Sequence, residues 1–188
     1  MGIQYYNKKL LGGLIMVEIE DIETIFSEEL QWIKDENLKS KVVKIWKEAA
    51  NRGNWSKLDD VPFTLLIENS GKLTDHTKRI ANLAKNVFDN RDENINLDYL
   101  IAGALLHDVG KLLEYSIKDG KVIKSDYGKV FRHPVSGALI AKEFSLPDEI
   151  VHIIYAHSHE GDNTKRSPEA VIINHCDFID FEIKKALV

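Results

Sequence analysis

Apolar residues recur at helical spacing through most of this chain. Around residues 19–34 and 37–51 they interleave with charged residues in the rhythm of amphipathic helices, with a break at Glu36-Asn37. Val42, Val43, Ile45, Trp46 and Ala49 form the inner stripe of the second stretch, and Gly53 is placed to cap its C-terminus. The clearest helix starts at Thr74 or Asp75 and sets His76, Ile80, Leu83, Ala84, Val87 and Phe88 on one face. A polar loop over 89–96 separates it from a helix running from Leu97 to Asp108, in which Leu100, Ala104 and Asp108 stand in line. His133-Pro134 opens another helix with proline at its first position and a small-residue inner face of Gly137, Ala138 and Ala141. Ser145 to Glu149 opens the next, which reaches His157; after a polar loop over 158–165, a last helix covers about Ser167 to Leu187.

Two stretches break this rhythm. Residues 54–70 hold Pro62 and the run Phe63-Thr64-Leu65-Leu66-Ile67, which suits either a short helix or a buried extended piece. Tyr115 to Ile123 reads as a β-hairpin, because Asp119-Gly120 supplies the positive φ angles of a type I′ turn. The pattern predicts an all-α bundle with a small β-hairpin insertion. The expected organisation is one compact domain: a leader over 1–18 that is free to be flexible, N-terminal helices over 19–70 packing on the core, and the core itself over 71–188.

Composition narrows the function classes. With 188 residues, 44% hydrophobic and 29% charged, the chain is large enough for a real core and ordinary for a globular protein. Its net charge of -5 argues against general nucleic-acid binding, which needs clustered Lys and Arg. Small anionic substrates stay open, since a metal ion reverses the local field. The single cysteine, Cys176, cannot form an internal disulfide, which points to a reducing compartment, and it reads as a small buried hydrophobe. The apolar run Leu10 to Val17 is far short of the ~20 residues of a membrane span. It follows Lys8-Lys9, but no small-x-small cleavage site comes after it. Tyr6 stands where a myristoylation signal needs Ser or Thr, and Met16 is an alternative start. A cytoplasmic protein without membrane association is expected; its oligomeric state is open.

The chemistry lies in polar residues on apolar faces. His76, Asp108, His157 and Asp177 all fall on them: Asp177 one turn from Ile173, His157 in phase with Ile150, Ile153 and Ile154. A carboxylate buried alone is costly, and gathering carboxylates and imidazoles around a cation removes that cost, as in metal sites inside helical bundles. His107 and Asp108 are adjacent and reach one ion where Val109-Gly110 turns the chain away. Such a mixed ligand set suits Fe, Mn, Co, Ni or Zn better than Ca or Mg. His152 and His175 fall off the inner phases and read as surface residues; Trp32, Trp46 and Trp55 read as packing.

Taken together, His76, then His107-Asp108-Val109-Gly110-Lys111, His133-Pro134-x-x-Gly137, Ile154-Tyr155-Ala156-His157-Ser158-His159-Glu160 and Asp177 resemble the HD superfamily of metal-dependent phosphohydrolases. The likeness runs over about residues 72–181 and is strongest to the HDIG-like branch, with Val109 where Ile is common. It implies a helical core in which His76, His107, Asp108 and Asp177 bind one divalent transition metal. A second ion, where present, would use His133 and His157, with Asp108 as the bridge. Some relatives have two adjacent histidines where this chain has His157-Ser158-His159, which leaves His159 as an outer partner or facing solvent. The Gly-Tyr-Pro signature of cyclic-di-nucleotide phosphodiesterases is absent after Glu160.

The implied activity is hydrolysis of a phosphomonoester or phosphodiester, on a nucleotide or other small phosphate, by a metal-activated water. Asp108 and Lys111 are the catalytic candidates, Lys111 as a cation facing the phosphate unless it is merely a solvated side chain. Asp180, one turn beyond Asp177, could orient a ligand, and Arg79 or Arg132 could bind phosphate. Two alternatives are a di-iron oxygenase of the same fold, revealed by oxygen consumption, and a nucleotide-binding sensor without catalysis.

Overall fold

The computed structural model describes residues 10–11 and 14–188; the Met-Gly opening, Tyr6 and Lys8-Lys9 lie outside the described residues. Leu10–Leu11 (β1) and Leu14–Ile15 (β2) form a short antiparallel pair. The first amphipathic stretch is shorter than the sequence suggests. It folds as α1 (Ile19–Ile25), then gives way to a 3-10 turn at Glu29–Trp32. The second is one continuous helix, α2 (Glu36–Arg52), whose N-cap Asp35 accepts from the backbone N–H of Asn37 and Leu38. Gly53 follows it but is not left-handed; that role falls to Asn54 at φ 58°. Glycine is needed at 53 for space, since a Cβ there would lie 2.0 Å from the Leu112 carbonyl oxygen.

Residues 54–70 take the extended alternative in part. Phe63 donates its N–H to the Gly71 carbonyl, and Leu73 donates to that of Val61, so a short antiparallel bridge closes the loop at the foot of the next helix. Phe63 is buried while Leu66 is exposed. That helix, α3 (Leu73–Asp89), begins one or two residues before the expected Thr74 or Asp75, because the bridge and not a side-chain cap sets its start. α4 (Leu97–Leu106) is capped by Asn96, and Leu100 to Leu106 are all buried. A helix apolar on every side belongs in the centre of a bundle. α2, α3 and two later helices pack around it.

Beyond α4 the chain makes a one-turn helix, α5 (Lys111–Glu114), and the expected hairpin, β3 (Tyr115–Lys118) with β4 (Lys121–Lys124). Asp119 and Gly120 both have positive φ, as the type I′ turn requires. A short helix that the periodicity does not indicate, α6 (Asp126–Val130), leads into α7 (His133–Glu143) with Pro134 in its first turn. α8 (Asp148–Ala156) and α9 (Pro168–Ala186) complete the bundle, joined through a 3-10 turn at His159–Gly161. Gly103 lets α8 approach α4 closely, since a Cβ there would meet the Ile153 side chain at 2.6 Å.

The N-terminal helices pack on this bundle through two indoles. Trp46 donates to the Leu105 carbonyl and Trp55 to the Leu112 carbonyl, each at 2.8 Å. Leu105 lies in the last turn of α4, where helical carbonyls lose their usual partners, and Leu112 lies in α5. Trp46 and Trp55 are therefore packing residues that also fix the segment from which His107 and Asp108 project. Cys176 is buried on α9, and burial pushes its thiol up to about 11.

Candidate metal centre

Five chain segments deliver side chains to one buried point. His76 comes from the first turn of α3, and His107 and Asp108 from the end of α4. His133 is the first residue of α7, His157 the last cap of α8, and Asp177 lies mid-way along α9. Gly110 makes the convergence feasible, because a Cβ there would lie 2.1 Å from the His133 carbonyl oxygen and 2.7 Å from the Gly137 nitrogen. Any larger residue would push α7, and His133 with it, away from Asp108.

The geometry divides the residues into two groups that share Asp108. Ligand atoms of His76, His107, Asp108 and Asp177 all lie within 4.8 Å of one another, and so do those of Asp108, His133 and His157. His76 Nε2 is 3.3 Å from Asp108 Oδ2 and 3.2 Å from Asp177 Oδ1, and His107 Nε2 is 3.4 Å from Asp108 Oδ2. The other oxygen, Asp108 Oδ1, faces His133 Nε2 at 3.2 Å and His157 Nε2 at 3.6 Å. Atoms bound about 2.1 Å from one ion sit roughly 3.0–3.4 Å apart, so the separations fit cations between them.

Each imidazole is held by its far nitrogen. His107 Nδ1 donates to the Ala104 carbonyl and His157 Nδ1 to the Ile154 carbonyl, both at 2.7 Å. The two rings thus cap the helices they terminate, and a carbonyl acceptor fixes the proton on Nδ1. His76 Nδ1 donates to Asp180 Oδ2 and His133 Nδ1 to Glu114 Oε2, again at 2.7 Å. With Nδ1 engaged in this way all four Nε2 atoms point to the centre, and with a cation in place of the proton on His76 each would offer it a lone pair, the arrangement metal-binding histidines require. His76 and His107 point these atoms at each other across 3.1 Å. Asp108 Oδ1 and His157 Nε2 are buried with no hydrogen-bond partner among the described residues. Buried polar atoms are rarely left so, and a cation would satisfy both.

The electrostatics agree. Burial pushes His107 down and His133 down to about 4, so both are neutral imidazoles. Burial also opposes charge on His76, but hydrogen bonds to Asp108, Asp177 and Asp180 outweigh it and raise the ring to about 9. Three carboxylates around one imidazole make a pocket that calls for positive charge. Burial opposes ionisation of Asp108 too, yet the Lys111 ammonium beside it holds its pKa well below the usual carboxylate range.

Lys111 is buried and not a solvated side chain. Its Nζ donates to Asp108 Oδ2 at 2.5 Å and to the Phe63 carbonyl at 2.8 Å, and lies 4.8 Å from the Phe63 ring centroid. Asp180 also accepts both arms of Arg79, so Arg79 is committed to a carboxylate and not open to a phosphate. Arg132 pairs with Glu160 on the protein surface. His159 is exposed and turns to Asp162, and His175 is exposed as expected. His152 is half-buried, and its Nε2 accepts from the Ser167 N–H.

Three contributors escaped the sequence pattern. Glu114 holds His133 through both its ring and its backbone N–H, and those contacts draw the carboxyl down to about 2 against the opposing effect of burial. Phe63 stacks on the His76 ring at 3.9 Å between centroids. Asn174 donates to the His157 carbonyl at 2.7 Å. Glu114 alone left a trace, a carboxylate one helical turn beyond the HD-x-G-K segment.

Comparison with known proteins gives the family. The family model described as HD domain matches residues 73–181. A dihydroneopterin 2′,3′-cyclic phosphate phosphodiesterase of Methanocaldococcus jannaschii is 30% identical over 171 residues, which covers 83% of this chain and 68% of that protein. A ribonuclease Y of Pseudothermotoga lettingae is 28% identical over 103 residues, 55% of this chain but 17% of that protein. A ribonuclease Y of Thermosipho melanesiensis is 30% identical over 83 residues, 44% of this chain and 14% of that protein. No solved structure matches the chain. Among the described residues no helix is long and apolar enough to cross a membrane. The match over most of the helical bundle, from the start of α3 to the middle of α9, identifies the chain as a member of the HD-domain family of metal-dependent phosphohydrolases.

Proposed function

We propose that the chain is a phosphodiesterase acting on a small cyclic phosphate, with two divalent transition metals bridged by Asp108. The observation that carries this reading is the division of Asp108: Oδ2 faces His76 and His107, and Oδ1 faces His133 and His157. In this assignment His76, His107, Asp108 and Asp177 hold one ion, and Asp108, His133 and His157 hold the other. The imidazole and carboxylate donors suit Fe, Mn, Co, Ni or Zn. The substrate class is supported by the relative from Methanocaldococcus jannaschii, named for cleaving a 2′,3′-cyclic phosphate and matched over 83% of this chain. A nucleotide-like ester falls within the same class. A cytoplasmic location is proposed on composition.

Bound ions would supply a water of lowered pKa as nucleophile and withdraw charge from the phosphoryl oxygens. The protein's own part is orientation. Ala104, Ile154, Asp180 and Glu114 fix the four rings with Nε2 inward, so no ring needs to turn when substrate arrives. Lys111 holds a positive charge beside Asp108 Oδ2, within the centre and shielded from water. The Phe63 carbonyl anchors its ammonium, so the charge stays where an anionic phosphoryl group would approach. Phe63 also covers one face of His76 and excludes water from that side.

The test is turnover by purified protein loaded in turn with Mn, Co, Ni and Fe, on a 2′,3′-cyclic nucleotide, nucleoside monophosphates and bis-p-nitrophenyl phosphate. Cleavage of the cyclic and diester substrates is expected. Metal-loaded protein that cleaves none of them, or that consumes oxygen instead, would overturn the reading.

A further inference from the structure

Arg79 and Arg132 each stand near a candidate metal ligand, and their pairings differ. Arg79 meets Asp180 with two arms, Nε to Oδ1 at 2.6 Å and Nη2 to Oδ2 at 2.9 Å. Asp180 in turn holds His76, so this fork is completely made. Arg132 meets Glu160 with one arm, Nη1 to Oε1 at 2.7 Å. Among the described residues its remaining donors form no hydrogen bond, and its side chain is 43% exposed. Glu160 Oε2 is buried and has no hydrogen-bond partner among those residues. A guanidinium and a carboxylate frequently match two arms to two oxygens, as Arg79 and Asp180 do. This pair leaves an arm and an oxygen unused.

Its position is informative. Arg132 is the N-cap of α7 and directly precedes His133. Glu160 lies in the 3-10 turn His159–Gly161, three residues beyond His157. That turn presses on the end of α8, since a Cβ at Gly161 would lie 2.3 Å from the Ala156 carbonyl oxygen. The His159 ring meets Phe178, the neighbour of Asp177, at 5.7 Å between centroids. One short turn therefore touches the helices that carry His133, His157 and Asp177. The ion pair thus joins the residue before His133 to the turn after His157, the two histidines that face Asp108 Oδ1. Other cations near the centre are committed. Lys111 is on Asp108 and Phe63, Lys124 on Glu114, and Arg166 on the Ala156 and Ser158 carbonyls and Asp162.

We propose that Arg132 recognises the phosphoryl group of the substrate and that Glu160 is a place-holding carboxylate that yields when the phosphate arrives. A single-armed pair whose arginine is in part solvent-exposed, and whose carboxylate leaves one oxygen unpartnered, is weak enough to open. A phosphate offers two oxygens to the guanidinium fork where Glu160 now offers one. Glu160 then stands as a like charge beside the bound anion, and it moderates affinity for phosphate, product included. The identity of the anion rests on the phosphohydrolase reading of the metal centre; the pairing itself does not.

The test titrates inorganic phosphate calorimetrically into metal-loaded wild type, R132Q, R132K, E160Q and the R132Q/E160Q double variant, with metal content and melting temperature recorded for each. Loss of a charge-assisted fork should weaken phosphate by about tenfold or more in R132Q, with metal content unchanged. R132K should fall between, E160Q should bind phosphate more tightly than wild type, and the double variant should match R132Q. Phosphate affinity unchanged in R132Q, or weakened in E160Q, would overturn the proposal. Should R132Q fold poorly, R132K and E160Q still decide the outcome by opposite signs. Phosphate binding that follows Arg132 in a protein that turns over no ester would support the proposal while the hydrolase reading fails. Ester turnover with phosphate binding indifferent to Arg132 would overturn the proposal alone.

Discussion

The two halves of the candidate centre share Asp108 and little else. On the Oδ2 side stand a second carboxylate, Asp177, two imidazoles and the ammonium of Lys111, with Asp180 and Arg79 behind His76. On the Oδ1 side, among the described residues, stand His133 and His157, with Glu114 behind one ring and a backbone carbonyl behind the other. The first half can neutralise itself without an ion, because its carboxylates raise His76 to about 9 and Lys111 sits on Asp108. The second half cannot: burial holds His133 down to about 4, and Asp108 Oδ1 and His157 Nε2 find no hydrogen-bond partner among the described residues. Richness in negative charge gives affinity for a cation. Poverty of partners leaves polar atoms that a cation would satisfy. Under the proposed assignment the first half binds its ion more tightly, and the second fills afterwards.

The most damaging change to that picture is Asp108→Asn. It removes the shared charge and should empty both halves, with activity lost and no more than residual metal by elemental analysis. Retention of one full equivalent of metal would show that the halves do not depend on one bridge.

Single-ligand changes should separate the halves. His157→Ala should leave one ion per chain, and His107→Ala should cost the tighter one, read as metal stoichiometry and as the free-metal concentration needed for half occupancy. Equal losses in both variants would mean that the two halves act as one site.

The outer carboxylates give a finer cut. Glu114→Gln should weaken only the second ion and Asp180→Asn only the first, each by about 10–100-fold in affinity. Crossed effects would break the assignment of Glu114 to His133 and of Asp180 to His76.

Much of this was legible from apolar phase. His76, Asp108, His157 and Asp177 stand out because a polar group in a buried stripe is costly, and that cost is visible in the sequence as a break in periodicity. The hairpin at Asp119-Gly120 was legible for an equally local reason, since its turn needs positive φ at both positions. Helix ends were less so. α3 starts at Leu73 because Pro62 bridges Lys72, a contact between residues ten apart that no capping rule anticipates. Glu114 and Phe63 were hidden because each acts through a partner distant in sequence: Glu114 on the His133 ring, Phe63 on the His76 ring and the Lys111 ammonium. The fate of the two arginines was equally hidden, since Asp180 and Glu160 lie far along the chain from them.

The smallest expected effects test how each half is supported from below. The end of α4, under His107 and Asp108, is fastened by Trp46 from outside the family-matched region, through a buried bond to the Leu105 carbonyl. The end of α8, under His157, is fastened from α9 by Asn174, through a bond to the His157 carbonyl itself. Trp46→Phe keeps an aromatic ring in place but leaves a buried carbonyl without its donor, which should cost about 1–3 kcal/mol of folding stability. Asn174→Ala should cost a similar amount, because it too strands a carbonyl at a helix end. Their effects on metal should differ. Trp46 acts on a carbonyl two residues before His107, whose ring keeps its own bond to Ala104, so denaturation midpoints should fall while both ions stay. Asn174 acts on the backbone of a ligand residue in the half with fewer donors, so the second ion should loosen along with the fold. If Trp46→Phe released the first ion as readily as Asn174→Ala released the second, the Oδ2 half would not be the more robust of the two.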